Sequence, residues 1–472
     1  MMLYCPDRPR KARQVCLLVA SALGASVALP AWLAPANKSA GPEAWTERQI
    51  TFAPHGHVLT NTAVWSADGR WIVYDIRSKD TVFDGERIEQ VNVETGEVRV
   101  LHVSRQGARC GVASFHPREP VVVFLEGPEN PTADWAYGAS RRRGRWVRTD
   151  GAGEARPLDA MNYAPPFQPG ALRGGSHLHV FSPDGRWVSF TYEDEVLAQA
   201  EKTGAFAERN QRNVGVAVPV GPVIVARTHP RNHDGDWFSV LVTQTVDQPR
   251  PGSDEISRAF EEGWVGQAGY QRAADGRQAR ALAFLGLVTA ADGRSHAEVF
   301  IADLPEDLTR EGVEPLAGTA TTRPAPPAGV RQRRLTFTAD QPFPGAAMVP
   351  RHWVRSSPDG SQLAFLMKDE RGQAQLWTVS LNGGGLRQVS RHEHGIASAF
   401  TWSPDGRWIA HVMDGSVFVT AVSDGAGRRL MPRRAGPDAP EPFACVFSPD
   451  GRHIAFTRRL GDHAQIFTVE AP

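Results

Sequence analysis

Short apolar segments that alternate with turn residues recur along most of the chain, and they predict strands. Several share one arrangement, in which an apolar strand runs into Ser-Pro-Asp-Gly or a near variant and a second apolar strand, often opened by Trp, follows. Serine, proline, aspartate and glycine each favour tight turns. Copies of this strand–turn–strand unit begin at Val64, Ser114, Val180, Arg355, Thr401 and Val446.

Residues 363–390 and 408–431 show a longer unit, in which three strands follow each turn before the next copy begins. Four short antiparallel strands, repeated about every 45 residues, are typical of a β-propeller blade. We therefore predict an all-β propeller of four-stranded blades. Seven blades fit best if residues 236–245 form an inner strand; aligning residues 233–237 with the turn instead changes the register and leaves six or eight blades open.

The last blade lacks one strand at the C-terminus, and residues 48–52 resemble outer strands elsewhere in the chain. We expect this N-terminal strand to complete the last blade, which closes the ring and removes two exposed edges. The propeller then spans residues 45–472 as one domain. Insertions interrupt it at residues 127–145, 194–213 (helical), 246–280 (with a short helix capped by Ser253 or Asp254) and 305–332 (Pro-rich).

The first 36 residues have the pattern of a signal peptide: a basic start, an apolar run over residues 15–29 and an Ala-Pro-Ala cleavage signal. The apolar run is short for a membrane span, although an uncleaved anchor is the alternative. We expect a periplasmic or secreted protein without stable membrane insertion after cleavage. Cys110 and Cys445 then remain, as buried free thiols rather than a disulfide.

Lys plus Arg and Asp plus Glu both number 52 in the 472 residues. This balance gives no reason to expect nucleic acid as a partner.

Histidines are concentrated just before the turns. Measured from the serine of each turn, seven fall in the loop between an outer and an inner strand or at the start of the inner strand, where they would ring one mouth of the channel. These are His55, His57, His177, His179, His352, His392 and His394. His229 and His233 join them if residues 236–245 are an inner strand.

Such a mouth could bind an acidic ligand through His177, His179, His229, His233, Arg231, Arg351 and Arg355. It could also hold a divalent metal such as Mn or Zn, because imidazoles from neighbouring blades can meet there. His352, His392 and His394 are the candidate metal ligands, since they come from successive blades. Solvated or packed histidines are the alternative for each residue.

The acidic stretch at residues 254–262 offers Glu255 and Glu262, seven residues apart, as acid and base on one helix face. A solvated helix face is the alternative. The chain contains neither a G-x-S-x-G motif nor a P-loop, so these motifs identify no enzyme class.

The Ser-Pro-Asp-Gly repeats resemble those of TolB-like propellers of bacterial envelopes. Residues 170–185, 229–235, 251–266 and 350–360 more closely resemble an uncharacterised exported bacterial family, sometimes labelled a Tol-type biopolymer transporter. That resemblance implies an envelope propeller without a demonstrated activity.

A weaker resemblance is to oligogalacturonate lyases, seven-bladed propellers that hold a divalent metal, usually Mn, with histidines. The His392-x-His394 pair is similar to their paired ligands, but no residue matches their catalytic base. Two functions remain open: a propeller that binds a small acidic ligand or an envelope protein, or a metal-dependent lyase acting on acidic saccharides.

Overall fold

Strands make up almost all of the regular structure in the computed structural model, which describes residues 45–151 and 153–472. In chain order the strands are β1 (Arg48–Gln49), β2 (Trp71–Asp75), β3 (Arg87–Asn92), β4 (Val98–Val103), β5 (Cys110–Phe115), β6 (Val121–Glu126), β7 (Arg143–Arg148), β8 (Arg156–Pro157), β9 (Ala160–Met161), β10 (Ala171–Leu172), β11 (Gly174–Phe181), β12 (Val188–Asp194), β13 (Asn213–Val218), β14 (Phe238–Leu241), β15 (Ile256–Trp264), β16 (Tyr270–Gln271), β17 (Gln278–Thr289), β18 (Ser295–Leu304), β19 (Arg331–Arg334), β20 (Arg355–Ser356), β21 (Gln362–Lys368), β22 (Ala374–Ser380), β23 (Arg387–Gln388), β24 (Thr401–Trp402), β25 (Trp408–Met413), β26 (Ser416–Ala421), β27 (Gly427–Arg429), β28 (Pro440–Phe447), β29 (His453–Leu460) and β30 (His463–Glu470).

These strands form seven antiparallel blades, as predicted. Blade 1 is β2–β4, with Trp65 bridged to Ile72 in place of a full inner strand. Blade 2 is β5–β8, blade 3 is β11–β14, blade 5 is β20–β23 and blade 6 is β24–β27. Blade 4 is β15, β17, β18 and β19, with β16 beside β17, and blade 7 is β28–β30 plus β1. Strands β9 and β10 form a separate parallel pair.

The Ser-Pro-Asp-Gly turns fold for local reasons that repeat from blade to blade. In blade 6 the Ser403 hydroxyl donates to Asp405 at 2.6 Å and accepts from the backbone N–H of Trp408 at 2.9 Å. Gly406 takes a φ of 72°, a left-handed conformation that glycine adopts without strain. Each turn therefore fixes the register between an inner strand and its neighbour.

The N-terminal strand closes the ring, which confirms the prediction. Strand β1 pairs antiparallel with β30, and the Thr51 hydroxyl accepts from the N–H of Ile466 at 2.9 Å. Just before β1, the Glu47 carboxylate accepts from Arg458 at 2.7 Å and from Arg434 at 2.5 Å. The closing segment is thus held by backbone pairing and by a largely buried ion-pair network.

Apolar side chains fill the spaces between blades and also close the channel. Val112, Leu178, Trp353 and Ala399 each lie four residues before the turn serine or its equivalent, in blades 2, 3, 5 and 6. They belong to one buried cluster, although blades 2 and 3 are not neighbours of blades 5 and 6. Because these blades meet only at the axis, we infer that this neck cluster blocks the channel between its two mouths.

Blade 4 differs from the prediction. Residues 253–262 do not form a short helix, because Ile256–Trp264 is the inner strand β15. Two bulges in its pairing with β17 break the alternation of buried and exposed positions, which hid the strand in the sequence. Phe238–Leu241 is instead the outer strand of blade 3, paired with β13. The count of seven blades is right, but this inner-strand assignment was wrong.

The predicted helical insertion after β12 is confirmed as α1 (Glu195–Thr203), whose first turn is capped by the Asp194 side chain. Two 3-10 turns are also present, at Ala139–Arg141 and Gly436–Asp438. Cys110 and Cys445 are buried free thiols, as expected.

The expected signal peptide, residues 1–36, lies outside the described residues. Within those residues, no helix combines the length and apolarity needed to cross a membrane.

Candidate ligand site at the loop mouth

The two mouths of the channel are built differently. Inner strands run towards the Ser-Pro-Asp-Gly turns, which surround what we call the turn mouth. The second strand of each blade runs back, so the segments that follow β2, β6 and β12 lie at the opposite end, the loop mouth. Residues 76–86, 127–142 and 195–212 are these segments. They are longer than the turns, and the loop mouth therefore has the more irregular surface.

Arginines are unusually frequent at the loop mouth, and several have carboxylate partners. Arg77 pairs with Asp75 at 2.7 Å, Arg212 with Glu193 at 2.5 Å, and Arg351 with Glu261 at 2.8 Å. The first two pairs come from the ends of second strands. These pairs tie the loops to the blades and are structural.

Two further arginines at this mouth have no such partner. Among the described residues, neither Arg142 nor Arg258 forms an ion pair with a carboxylate. Arg142 is only 8% exposed, and its Nε donates to the Ala139 carbonyl at 3.2 Å. Arg258, in β15, is partly buried, lies over the ring of Phe260 at 4.8 Å and has no hydrogen-bond partner for its Nε. Burial lowers the pKa of both side chains, which nonetheless stay charged.

His177 lies on the inner strand of blade 3, the blade between those that carry Arg142 and Arg258. It precedes Leu178, whose φ of 57° belongs to a bulge in the β11–β12 pairing. Burial lowers the pKa of His177 well below its usual value, and the charges of Arg142, Arg351 and Arg212 lower it further. In the part of the chain that the structure describes, no protein group hydrogen-bonds its ring nitrogens. The prediction that His177 lines a mouth agrees with this position.

Arg355 lies in the channel rather than in a rim loop. It crosses from blade 5 to donate a hydrogen bond to the Asn61 side chain of blade 1. Burial lowers its pKa to about 10, although the nearby charge of Glu262 opposes that shift. Glu262 is itself buried, neither of its carboxylate oxygens has a hydrogen-bond partner among the residues that the structure describes, and burial raises its pKa to about 8. Glu262 is therefore protonated at neutral pH.

His179 does not line the mouth, contrary to the prediction. It is fully buried, and its Nε2 lies 3.1 Å from the Ser176 hydroxyl and 3.5 Å from the Asp159 carboxylate. Asp159 also accepts from the Ser239 hydroxyl at 2.8 Å and from the N–H of Gly144 at 3.1 Å. This network joins blades 2 and 3, so its role is structural.

His229, Arg231 and His233 were expected at the mouth only if residues 236–245 formed an inner strand, and they do not. The His229 ring packs against Trp135 and Tyr163, and Arg231 donates to the Glu129 carbonyl. The backbone of His233 pairs with Met161. His229 and Arg231 therefore contact the insertion at residues 127–142 and help to hold it in place.

The predicted metal ligands do not converge. His352 is buried; its Nε2 accepts from the N–H of Leu366 at 3.0 Å, and its Nδ1 lies 3.2 Å from the Pro350 carbonyl. His392 contacts the Thr420 hydroxyl at 2.8 Å, while the exposed His394 lies 3.9 Å from Asp414. No group of three or more His, Cys, Asp or Glu residues in the described part of the chain is arranged to hold a metal ion. Each of these histidines instead contacts partners in its own surroundings, and the structure does not bring the three predicted ligands together.

His55 and His57 also have local roles. Their rings stack at 4.5 Å, and the Nδ1 of buried His57 lies 3.0 Å from the Ala464 carbonyl at the closing blade.

Sequence reasoning missed the residues that distinguish the loop mouth. Arg142 belongs to the run Arg141–Arg142–Arg143, a visible signal, but its neighbours Arg141 and Arg143 both pair with glutamates. Arg258 and Glu262 were assigned to a helix, which placed them in solvent. A strand assignment for residues 256–264 would have brought both to the channel.

The turn mouth was also missed. A cavity of about 540 Å³ lies there, lined by residues from all seven blades. The indole N–H groups of Trp65, Trp264 and Trp402 donate to the carbonyls of Val446, Val180 and Arg355 at 2.9–3.0 Å. These bonds join neighbouring blades, so the indoles present mainly apolar surface to the cavity.

Comparison with solved structures supports the propeller fold. An oligogalacturonate lyase in complex with manganese matches with a TM-score of 0.53 and 11% identity, over 90% of this chain and 93% of that chain. TolB from Acinetobacter baumannii also matches, with a TM-score of 0.35 and 14% identity over 86% of this chain and 81% of that chain. The manganese belongs to the lyase, and its likeness to this chain is one of fold.

Comparison with known sequences identifies the family. The family described as "Protein of unknown function (DUF3748)" matches residues 109–233. The uncharacterized protein YidR of Escherichia coli is 46% identical over 423 residues, which cover 88% of this chain and 97% of YidR. This identity extends over nearly the whole propeller, so the chain belongs to the family of YidR, an uncharacterised bacterial family as its sequence indicated.

Proposed function

We propose that this protein is a binding propeller of the bacterial envelope that takes a small acidic ligand at its loop mouth. The observation that carries the proposal is the presence at one mouth of two arginines, Arg142 and Arg258, that have no carboxylate partner in the described part of the chain. A buried cation without a counter-ion costs several kcal/mol, so such groups are expected to have a partner. An anionic ligand supplies that partner, and guanidinium groups bind carboxylate and phosphate with two parallel hydrogen bonds.

The other charges at the mouth support this choice of ligand. Arg77, Arg212 and Arg351 are neutralised by their own carboxylates, so Arg142 and Arg258 leave a local positive excess. His177 is kept neutral by burial and by the arginines, and therefore leaves that excess unchanged. Glu262 is protonated at neutral pH and does not offset it. A cationic ligand would meet an unfavourable field there.

Export is part of the proposal and rests on the sequence of residues 1–36. N-terminal sequencing of the protein from separated cell fractions tests it. We expect a periplasmic form that begins near residue 37, whereas a membrane-bound form that begins at Met1 would contradict export.

The metal-dependent lyase is not favoured. A manganese-bound propeller shares the fold, but His352, His392 and His394 engage separate partners in this chain and do not fit a common metal ion. We therefore assign no reaction to the mouth.

A thermal-shift screen of small acids tests the binding proposal. A ligand at about one hundred times its dissociation constant adds about 2.7 kcal/mol to the free energy of unfolding, which corresponds to a rise of several degrees in Tm. We expect saturable shifts with acids and none with amines. Arg142→Gln should reduce them, whereas Arg70→Gln, at an exposed turn where Arg70 pairs with Asp68, should preserve them. Equal shifts in both variants would contradict a site at the loop mouth.

A further inference from the structure

The two unpaired arginines belong to different blades. Arg142 ends the insertion before β7 of blade 2, and Arg258 lies in β15, the inner strand of blade 4. Blade 3 separates these blades and contributes His177 and Arg212. The charges of Arg142 and Arg212 both act on His177, and Arg212 and Arg351 both act on Arg258. These side chains therefore form one group of interacting charges that extends from Arg142 on blade 2 to Arg258 on blade 4. Within the described residues, neither of these two arginines has a carboxylate partner.

Neither unpaired arginine can readily satisfy its charge from the nearest glutamates. Glu193 is engaged by Arg212 through two hydrogen bonds, at 2.5 and 2.9 Å. Glu261 is engaged by Arg351 through hydrogen bonds at 2.8 and 3.2 Å. If either carboxylate paired with Arg142 or Arg258 instead, Arg212 or Arg351 would lose its own ion-pair partner. The mouth therefore offers two separate positions for negative charge.

A neutral hydrogen-bonding group lies between these positions. The neutral imidazole of His177 has one donor and one acceptor nitrogen, and both are free of protein partners in the described part of the chain. Tyr137 adds a second polar group at this mouth: it is 40% exposed, stacks on Phe83 at 4.3 Å, and its hydroxyl opposes the lowering of the Arg142 pKa. A ligand hydroxyl suits the imidazole, because it can donate to one nitrogen or accept from the other.

We propose that the ligand is a diacid, with one acidic group on Arg142, the other on Arg258, and a hydrogen-bonding centre against His177. This inference deepens the proposed function and rests on it, since it specifies the charge and layout of the same ligand. A hydroxylated dicarboxylate has the required chemistry. A monoacid fills only one of the two positions and leaves the second arginine unpaired.

Isothermal titration of the mature protein at constant ionic strength tests the proposal. The probes are acetate, the straight-chain dicarboxylates from malonate to adipate, and L-malate as the hydroxylated counterpart of succinate. We expect one dicarboxylate length to bind at least about tenfold more tightly than acetate, because a second charge-assisted contact is worth about that factor or more. L-malate should bind more tightly than succinate, and His177→Ala should remove that difference.

Variants separate a bridging ligand from one that uses a single arginine. Arg142→Gln and Arg258→Gln should each raise the Kd of the best dicarboxylate about tenfold. The dicarboxylate should then bind no more tightly than acetate. Arg70→Gln, in a turn at the opposite mouth, should change the Kd less than about twofold. Because Arg142 is buried, Arg142→Lys provides a second variant that keeps the charge but loses the paired hydrogen bonds, and it should give an intermediate Kd.

The possible failures are distinguishable. If acetate and every dicarboxylate bind equally and only one arginine variant matters, the diacid is refuted while the acidic ligand of the proposed function stands. If no acid binds to the wild-type protein, both proposals are refuted. If dicarboxylates bind and neither variant weakens them, the site lies elsewhere.

Discussion

The turn mouth and the loop mouth of this propeller show how one repeated fold separates structure from binding. At the turn mouth, polar groups are used within the protein: the turn serines and aspartates bond to each other, and the indoles of Trp65, Trp264 and Trp402 bond to adjacent blades. At the loop mouth, within residues 45–151 and 153–472, Arg142 and Arg258 have no carboxylate partner and the ring of His177 has no hydrogen-bond partner. Satisfied polar groups stabilise a fold, whereas buried groups without partners are candidates for ligand contact.

The largest expected effect concerns ring closure, on which both mouths depend. Glu47→Ala removes the carboxylate that joins the N-terminal segment to Arg458 and Arg434, and leaves the largely buried Arg458 without a counter-ion. We expect the free energy of unfolding to fall by about 3 kcal/mol, as for other broken buried pairs. Deletion of residues 45–55 should cost more, because β1 and its pairing with β30 are lost as well. Urea unfolding measures both changes.

The matched control is Glu97→Ala, which breaks an exposed pair with Arg99 and should cost less than about 0.5 kcal/mol. If Glu47→Ala were no more damaging than Glu97→Ala, the closure by the N-terminal segment would be energetically unimportant.

The second prediction concerns Glu262, near the channel between the mouths. Burial raises its pKa from 4.5 to about 8 in the folded protein, so the folded state holds a proton that the unfolded chain releases. The stability linked to this proton is fully present below pH 4.5 and is lost as the pH rises through 8. Glu262→Gln should flatten this part of the profile and stabilise the protein at pH 8 by on the order of 3 kcal/mol.

Urea unfolding of wild type and Glu262→Gln at pH 5 and pH 8 gives the comparison. Glu255→Gln serves as the control, since this neighbouring carboxylate is in a surface pair with Arg250 and should leave the pH dependence nearly unchanged. A Glu262→Gln profile parallel to that of the wild type would show that Glu262 is charged in the folded protein.

A third prediction separates the mouths directly. Trp402→Phe removes the indole N–H that bonds the Arg355 carbonyl, so we expect a loss of about 1 kcal/mol in stability and unchanged affinity for acids. Arg142→Gln should do the reverse: it should weaken binding of the best dicarboxylate about tenfold with little loss of stability, because it removes a buried charge that has no carboxylate partner. Measurements of Tm and Kd on both variants test this. Loss of acid binding in Trp402→Phe would contradict the separation of stability at the turn mouth from binding at the loop mouth.

The smallest expected effect is a pH dependence of binding through His177. Burial and the charges of Arg142, Arg351 and Arg212 hold its pKa far below 6.5 in the free protein. An acidic ligand offsets those charges and raises that pKa, so binding takes up protons and strengthens as the pH falls. We expect affinity about threefold higher at pH 5.5 than at pH 7.5, with the difference lost in His177→Gln. Equal pH dependence in the two proteins would assign it to another group.

The repeats were sufficient to predict the fold, because each turn specifies its own register. Ser403 bonds to Asp405 and Trp408, which lie within five residues of it, and such local interactions can be predicted from a sequence. The closing strand was also predictable, since residues 48–52 resemble the outer strands. The inner strand of blade 4 was harder to predict, because the bulges around Glu261 interrupt the alternation of buried and exposed residues that identifies a strand.

The site was harder to predict than the fold. Counting back from its turn assigned His177 to a mouth, but the same counting also selected His179 and His352, which are buried. These histidines differ in whether a hydrogen-bond partner lies near the ring. The partners of His179 (Asp159) and His352 (Leu366) come from other strands or segments. Likewise, Arg143 pairs with Glu126 and Glu129, whereas the adjacent Arg142 pairs with no carboxylate of the described residues. Such pairings depend on three-dimensional packing, and spacing alone does not reveal them.

The most direct test of the account is a crystal structure of the mature protein with the tightest-binding dicarboxylate from the titration series. We expect electron density for the dicarboxylate at the loop mouth, with one carboxylate on Arg142 and the other on Arg258, beside the ring of His177. Density in the turn-mouth cavity among Trp65, Trp264 and Trp402, with both arginines left unoccupied, would contradict it.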